Sequence, residues 1–218
     1  MIPRQKELFK NIVQEYVKTA QPVGSNLLVE KFKLDISPAT VRNDMRELEE
    51  QNLIIAPHTS AGRVPTEYGY KYFVKNYIDL GAELNKKEAK EVQMVYKNEI
   101  KNLAKIISEK SGLGVFLGFA ENDVYYTGLS NIFSQPEFQN LDLIYNISSV
   151  IDHLDEVMEK MYNQITEKEI KIGNDNLFSS DCSAILYKIK NVLIGILGPM
   201  RMDYQYNIKL LNCIKNII

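Results

Sequence analysis

The stretch that begins at Ser37 constrains the fold more than any other part of the chain, because it combines a helix start with a helical repeat. Ser37 is a good N-cap, and Pro38 suits the first helical position, where its missing N–H costs nothing. Val41, Met45 and Leu48 follow at i, i+4 and i+7, which is the spacing of one helical face. The pattern predicts an amphipathic helix with one buried stripe.

The opposite face of this helix has side chains that suit DNA recognition. It is small at its N-terminal end and then carries two guanidinium groups and one amide. Arginine suits guanine edges or phosphate and asparagine suits adenine edges, so the segment is a candidate recognition helix for the major groove. The candidate DNA-binding residues of the helix are Ser37, Ala39, Thr40, Arg42, Asn43 and Arg46.

A short turn-rich ribbon over residues 57–65 follows, in the position of a wing. We expect residues 60–62 to form a flexible turn that presents a cation to the DNA backbone or the minor groove. The candidate DNA-binding residues of the wing are His58, Ser60 and Arg63.

Two further helices are predicted upstream. Residues 4–19 have apolar side chains at helical spacing, and Pro22 and Gly24 interrupt that pattern. Ser25 is placed to cap a short second helix, and residues 33–36 form the predicted turn. An amphipathic helix with arginines is common by itself, but the order of these helices and the ribbon predicts a winged helix-turn-helix.

The rest of the chain predicts an α+β region with a mainly antiparallel sheet. Thr66 is expected to cap a helix whose aromatic stripe packs the wing region onto the next domain. Residues 85–110 are predicted to form one long helix. Its apolar face, from Val92 to Ile107, suits a coiled-coil seam between subunits or packing onto its own domain, and both alternatives remain open. Strands are predicted at 112–119, 124–129, 169–172, 183–187 and 192–197, and helices at 141–165 and 203–218.

Charge gives a local rather than a global indication of DNA binding. The 218 residues carry a net charge of −2, and residues 1–80 contain 11 basic and 10 acidic side chains, so no overall basic signature exists. Arginine is nevertheless concentrated near the N-terminus. Its planar guanidinium donates paired hydrogen bonds to bases and phosphates, which the lysine ammonium does not match. Four of the five arginines lie in the first 63 residues: Arg4, Arg42, Arg46 and Arg63.

Motifs for catalysis, metals or membranes are lacking in the sequence. Cys182 and Cys213 lie among apolar neighbours and are predicted to be buried free thiols. His153 is expected on a solvated helix face, and residues 174–176 lack the ligand pattern of a calcium loop. We therefore expect no enzyme activity, no cofactor and no metal. The lack of a signal peptide and of an 18-residue apolar run predicts a cytoplasmic protein that does not span a membrane.

Residues 37–54, SPATVRNDMRELEEQNLI, and 57–74, PHTSAGRVPTEYGYKYFV, closely resemble the N-terminal domain of the HrcA family of bacterial heat-inducible transcription repressors. Residues 128–138, 172–176, 181–183 and 196–204 are similar to later HrcA blocks, in the family's order. Tandem helix-turn-helix regulators of sugar metabolism share only the core of the first block and lack the later ones.

The resemblance implies a dimeric repressor that binds an inverted-repeat operator upstream of chaperone genes, with the chaperonin GroEL as its modulator. The implied fold is a winged helix, a GAF-like domain and an inserted dimerisation domain. Family members are usually longer, and the interval before Gly128 is here about one long helix and two strands. The inserted domain is therefore expected to be reduced or absent. We expect the dimer contact to fall on the predicted long helix, helped by the C-terminal helix.

Together these observations predict an α+β protein with a winged helix domain at 1–80, a linking helix at 81–111 and a reduced GAF-like domain at 112–218. The expected function is repression of heat-shock genes by an operator-bound homodimer. One alternative is a winged-helix protein-interaction module, which the DNA-facing positions of Arg42, Asn43, Arg46 and Arg63 disfavour. The other is a small-molecule-responsive regulator of other genes, which the sequence does not test.

Overall fold

The computed structural model describes residues 1–58, 61–96, 99–119, 123–139, 144, 148 and 151–215. These residues form two compact units, Met1–Ile78 and Asp79–Ile218. The first is a helix-turn-helix with a β-hairpin, and the second contains a five-stranded antiparallel sheet. The predicted α+β fold class is confirmed.

The described residues of the first unit form four helices and two short strands. In chain order they are α1 Pro3–Thr19, α2 Ser25–Phe32, α3 Pro38–Glu50, β1 Ile54–Ile55, β2 Val64–Pro65 and α4 Glu67–Tyr77. The break after α1 is made by Ala20, whose φ of 54° is left-handed. Gly24, not Ser25, is the N-cap of α2, so the predicted capping role of Ser25 is wrong. The predicted order of helices and ribbon is confirmed.

The apolar stripes of the first three helices meet in one core. Phe9 and Ile12 of α1, Leu28 of α2, and Val41 and Leu48 of α3 all have 0% exposed surface. Burying side chains of this size is the main term that holds such a small unit together. The stripe predicted for α3 is therefore confirmed as the face that packs inward.

Two buried carboxylates set how the helices lie against one another. Asp44 of α3 is only 2% exposed and accepts hydrogen bonds from Arg4 Nε at 2.7 Å and Arg4 Nη2 at 2.8 Å. Glu15 of α1 is 3% exposed and pairs with Lys31 Nζ of α2 at 2.6 Å. A buried carboxylate without its partner is costly, so each pair favours one rotation of its helix.

The aromatic stripe of α4 packs on α1 inside the same unit. The rings of Phe9 and Tyr72 are 5.7 Å apart and edge-on, and those of Phe9 and Phe73 are 6.5 Å apart. Tyr77 Oη donates a hydrogen bond to the carbonyl oxygen of Lys6 at 3.0 Å. The stripe therefore contributes to the packing of the first unit itself, through Phe9 of α1.

The second unit has a five-stranded sheet in which every neighbouring pair is antiparallel. The order of its strands is β4 Val124–Thr127, β3 Gly114–Phe119, β7 Val192–Pro199, β6 Cys182–Ile189 and β5 Lys168–Ile172. Short 3₁₀ turns lie at Pro136–Gln139 and Gly173–Asp175. The described helices and strands are α5 Lys86–Tyr96, α6 Ile100–Ser111, β3 Gly114–Phe119, β4 Val124–Thr127, α7 Leu129–Phe133, α8 Leu154–Gln164, β5 Lys168–Ile172, β6 Cys182–Ile189, β7 Val192–Pro199 and α9 Tyr204–Lys215. All five predicted strands are present. The predicted 141–165 helix is described mainly as α8, and much of its first half lies outside the described residues.

The single long helix predicted for residues 85–110 is wrong. Glu99 has extended backbone, with φ −123° and ψ 110°, and it separates α5 from α6. The two helices pack against each other, and Lys110 Nζ bonds Glu91 Oε2 at 2.7 Å. Val92, Leu103 and Ile107 have 0% exposed surface, because two short helices can both turn their apolar faces to the unit's own core.

This burial takes three residues of the predicted subunit seam into the second unit. Val92, Leu103 and Ile107 pack within one chain, so a charge at Leu103 would disrupt the core of the second unit and not a contact between subunits. The C-terminal helix is used in the same way, since Ile208, Leu211 and Ile214 also have 0% exposed surface.

Both cysteines are buried free thiols, as predicted. Burial raises the pKa of the Cys182 thiol to about 12, and burial also raises the pKa of Cys213. A thiol with a raised pKa carries little of the reactive thiolate at neutral pH. His153 is exposed, as predicted, and stands in the N-cap position of α8.

Gly69 provides a test of how α4 is packed against the hairpin. A Cβ at Gly69 would overlap the carbonyl oxygen of Leu53, whereas a Cβ at Gly24 would meet nothing within 4 Å. We expect Gly69→Ala to lower the free energy of unfolding by about 1–3 kcal/mol, because the overlap is with backbone that cannot rotate away. Gly24→Ala should lower it by less, about 0.5 kcal/mol, because it loses only the N-cap preference for glycine over alanine. Urea unfolding of the two variants measures both, and equal stabilities would contradict the close approach.

Candidate nucleic-acid interface

The outward face of α3 is the feature that organises the candidate interface. Burial of Val41, Met45 and Leu48 turns the opposite side of the helix to the surface. The residues left exposed there are Ala39, Arg42, Asn43 and Arg46. The helix therefore presents two guanidinium groups and one amide.

These side chains line a groove of about 630 Å³ within the first unit. Its walls come from the start of α2, from α3, and from the end of the hairpin loop. Arg42 Nε donates a hydrogen bond to Ser25 Oγ at 3.2 Å, which links two of these walls. The polar and charged residues of its lining include Ser25, Arg42, Asn43, Arg46, Glu49 and Arg63.

Ser37 and Thr40 lie at the N-terminal end of α3, and they are occupied in starting the helix. Ser37 Oγ accepts a hydrogen bond from the backbone N–H of Thr40 at 3.2 Å, and the two hydroxyl oxygens are 3.0 Å apart. Pro38 occupies the first helical position, as predicted. These two hydroxyls therefore fix where the recognition face begins.

The hairpin that forms the candidate wing is short. Ile54 pairs with Pro65 and Ile55 with Val64, so each strand has two residues. His58 is exposed in the loop, and its carbonyl oxygen accepts a hydrogen bond from Ala61 N at 3.0 Å. Ser60, a predicted DNA-binding residue, lies outside the described residues.

Ser60 of the predicted flexible turn lies outside the described residues, whereas Arg63 is held at the base of the loop. Its guanidinium bonds Glu49 Oε2 of α3, with Nη2 at 2.9 Å and Nε at 3.1 Å. Its backbone forms an antiparallel bridge with Val23, with both N–O distances at 2.9 Å. Gly62 lies so close to this segment that a Cβ would overlap the backbone of Pro22 and Val23. The base of the wing loop is thus anchored.

The arginines of the first unit have two kinds of role. Arg4 pairs with Asp44 and Arg63 with Glu49, while Arg42 and Arg46 are exposed on α3. Sequence reasoning missed the two acidic partners. Asp44 could have been found, because a carboxylate three residues after Val41 falls on the buried side of the helix and requires a partner.

Two other features, metal-binding clusters and membrane-spanning helices, are not found among the described residues. Among the described residues, no group of three or more His, Cys, Asp or Glu side chains could hold a metal ion. No helix there combines the length and apolar character needed to cross a membrane.

Two sequence models of protein families match the chain. The DeoR-like helix-turn-helix domain matches residues 9–66, and the HrcA protein C terminal domain matches residues 73–208. The chain belongs to the HrcA family. HrcA proteins are transcription repressors and not enzymes, so the predicted family and the predicted non-enzymatic nature are confirmed.

Relatives along the whole chain are named heat-inducible transcription repressor HrcA. The protein of Desulforamulus reducens is 23% identical, with 98% of this chain and 94% of that protein covered. The protein of Moorella thermoacetica is 24% identical, with 100% and 97% covered. The protein of Desulfitobacterium hafniense is 54% identical over 74 residues, which are 34% of this chain and 21% of that protein.

The HrcA relatives are longer within the aligned region. The alignment with the Desulforamulus reducens protein runs over 330 positions, whereas this chain has 218 residues, so roughly a third of those positions have no counterpart here. Among solved structures, a crystal structure of a hypothetical protein superimposes with a TM-score of 0.78 at 15% identity and covers 99% of this chain and 97% of that chain. That likeness supports the fold.

Ser37 allows the capping role to be separated from any role in DNA binding. We expect Ser37→Ala to lower the free energy of unfolding by about 1 kcal/mol, because the Thr40 N–H loses its acceptor. Ser37→Asp should retain the cap and the stability but weaken DNA binding, because it adds a negative charge beside the recognition face. Thermal unfolding and duplex titration of both variants provide the measurement. A fully stable Ser37→Ala would show that the cap contributes nothing.

Proposed function

We propose that this HrcA-family protein represses heat-shock genes in the cytoplasm by binding an inverted-repeat operator as a homodimer. The observation that carries the proposal is the exposed face of α3, where Arg42, Asn43 and Arg46 line one groove between α2 and the wing. Membership of a repressor family adds the biological context, and the HrcA resemblance adds GroEL as the proposed modulator of operator binding.

The dimensions of α3 fit this role. Its 13 residues span roughly 20 Å at 1.5 Å per residue, and a B-DNA major groove about 12 Å wide admits a helix. Arg42 and Asn43 are adjacent and exposed, so together they offer a fork for guanine and an amide for adenine. Arg46 lies one turn further along the same face, where it suits a second base or a phosphate.

The alternative of a small-molecule-responsive regulator gains no support from the described residues of the second unit. The apolar cleft beside Phe116 and Phe178 holds about 20 Å³, which is little more than one water molecule. The centroids of the two rings lie 4.8 Å apart, and both rings belong to the hydrophobic core of the second unit. Ligand pockets are usually at least about 300 Å³.

A symmetric operator requires two recognition helices, and we propose that the second unit supplies the subunit contact. That contact must avoid the buried side chains of Val92, Leu103 and Ile107. Among the described residues of the second unit, the exposed large apolar side chains are Leu80, Met94, Tyr126 and Leu177. Substitutions that test the subunit contact should start with these four residues.

The specificity of α3 is tested by comparing variants on two duplexes. The first is an inverted repeat selected in vitro by the wild-type protein, and the second has the same composition in scrambled order. Arg42→Ala or Asn43→Ala should cost about 1–3 kcal/mol on the selected duplex and much less on the scrambled one. Lys75→Ala, which removes an exposed charge from α4, is the matched control and should affect both slightly and equally. Equal losses for Arg42→Ala on both duplexes would reassign that residue to backbone contact.

Dimeric binding is tested by cutting the selected duplex into half-sites. A homodimer that engages both halves should bind the full repeat roughly 100-fold or more tightly than one half, because the second contact is intramolecular. Sedimentation of the protein–DNA complexes gives the number of chains bound. A single chain on the full repeat, with the affinity of the half-site, would contradict the dimer.

A further inference from the structure

Among the described residues that line the groove, Glu49 is the one with an acidic side chain. A carboxylate in this position would repel DNA phosphates if it were free. It is instead bonded on both oxygens: Oε2 accepts from Arg63 Nε and Nη2 at 3.1 and 2.9 Å, and Oε1 accepts from the backbone N–H of Ala56 at 3.1 Å.

These bonds connect three elements through one side chain. Glu49 lies in the last turn of α3, Ala56 directly follows β1, and Arg63 directly precedes β2. The carboxylate therefore holds both ends of the wing loop against the C-terminal end of the recognition helix. Charge-assisted bonds of this kind are stronger than neutral ones and fix direction as well as distance.

A second contact restrains the same end of the loop. Arg63 is bridged through its backbone to Val23, and Gly62 approaches that segment too closely to accept a Cβ. The Arg63 side chain is 25% exposed, and Glu49 occupies its Nε and one N–H of Nη2. A phosphate contact by Arg63 would have to use the remaining N–H groups and compete with Glu49 for the positive charge.

We propose that Glu49 is a positioning residue for DNA binding, which sets the wing against the recognition helix, and that Arg63 acts through Glu49 and not as a phosphate ligand. The proposal rests on the function proposed above. It assigns an acidic side chain a favourable role at a surface that meets a polyanion.

The sign of the effect distinguishes positioning from simple electrostatics. Removal of a negative charge near DNA strengthens binding if only long-range charge matters. Glu49→Gln should instead bind the selected inverted repeat roughly tenfold more weakly, because the wing loses its strongest anchor. Glu50→Gln removes the same charge from the next, exposed residue of α3 and should leave binding unchanged or slightly tighter.

A charge swap provides the second readout. Glu49→Arg alone should weaken binding although it adds positive charge. The further change Arg63→Glu should then restore part of the affinity although it adds a negative charge, because the ion pair is rebuilt in reverse while the bond to the Ala56 N–H is not. In the wild-type background, Arg63→Gln should leave the slope of log affinity against log salt concentration unchanged. If Arg63 contacted a phosphate, the same variant would reduce the magnitude of that slope by about one. Circular dichroism at the titration temperature confirms that each variant is folded.

The outcomes separate the two proposals. If wild type binds the selected repeat no better than the scrambled duplex, the proposed function fails and this inference fails with it. If wild type is specific but Glu49→Gln binds as tightly as Glu50→Gln, or Glu49→Arg binds more tightly than wild type, the positioning role is overturned and the repressor function stands.

Discussion

Burial of one stripe of α3 is the constraint on which the DNA-binding unit depends. Val41 and Leu48 have no exposed surface, and this fixes the rotation of the helix so that Arg42 and Asn43 face outward. The Asp44 carboxylate, held by both nitrogens of the Arg4 fork, reinforces that rotation. A rotation of α3 by one residue would bury a guanidinium and expose a core side chain, and both changes are unfavourable.

Position, not net charge, prepares this surface for DNA. The first 80 residues are nearly neutral, and two of their four arginines neutralise carboxylates inside the unit. Those pairs orient α1, α3 and the wing, and they leave the exposed cations of α3 on the face that we propose for the major groove. A protein built in this way gains less from non-specific attraction than a strongly basic one, and more of its discrimination depends on base contacts.

Local signals predicted the elements that depend on local physics. Ser37 and Pro38 marked the start of α3, its apolar spacing marked the buried side, and the β-rich runs became the strands of the antiparallel sheet. The break at Glu99 carries no proline or glycine, and the apolar period continues across it, so only tertiary packing reveals it. The partner of Arg63 is 14 residues away and that of Arg4 is 40 residues away, distances over which sequence pattern gives no pairing.

The second unit raises the question of how two recognition helices are held together in an HrcA-family chain that lacks about a third of the aligned length. Its helices α5, α6 and α9 bury their apolar faces internally. A symmetric arrangement on DNA is therefore the claim on which the functional account most depends. The buried native thiols, with their raised pKa values, allow a single introduced cysteine to be labelled selectively.

The most direct measurement is DNA cleavage by an iron chelate attached to Glu50→Cys, at the exposed C-terminal end of α3. On the selected inverted repeat the account predicts two symmetric clusters of cuts, centred on major grooves one or two helical turns apart, at roughly 34 Å per turn. Cuts spread evenly along the duplex, or confined to one half of the repeat, would contradict it.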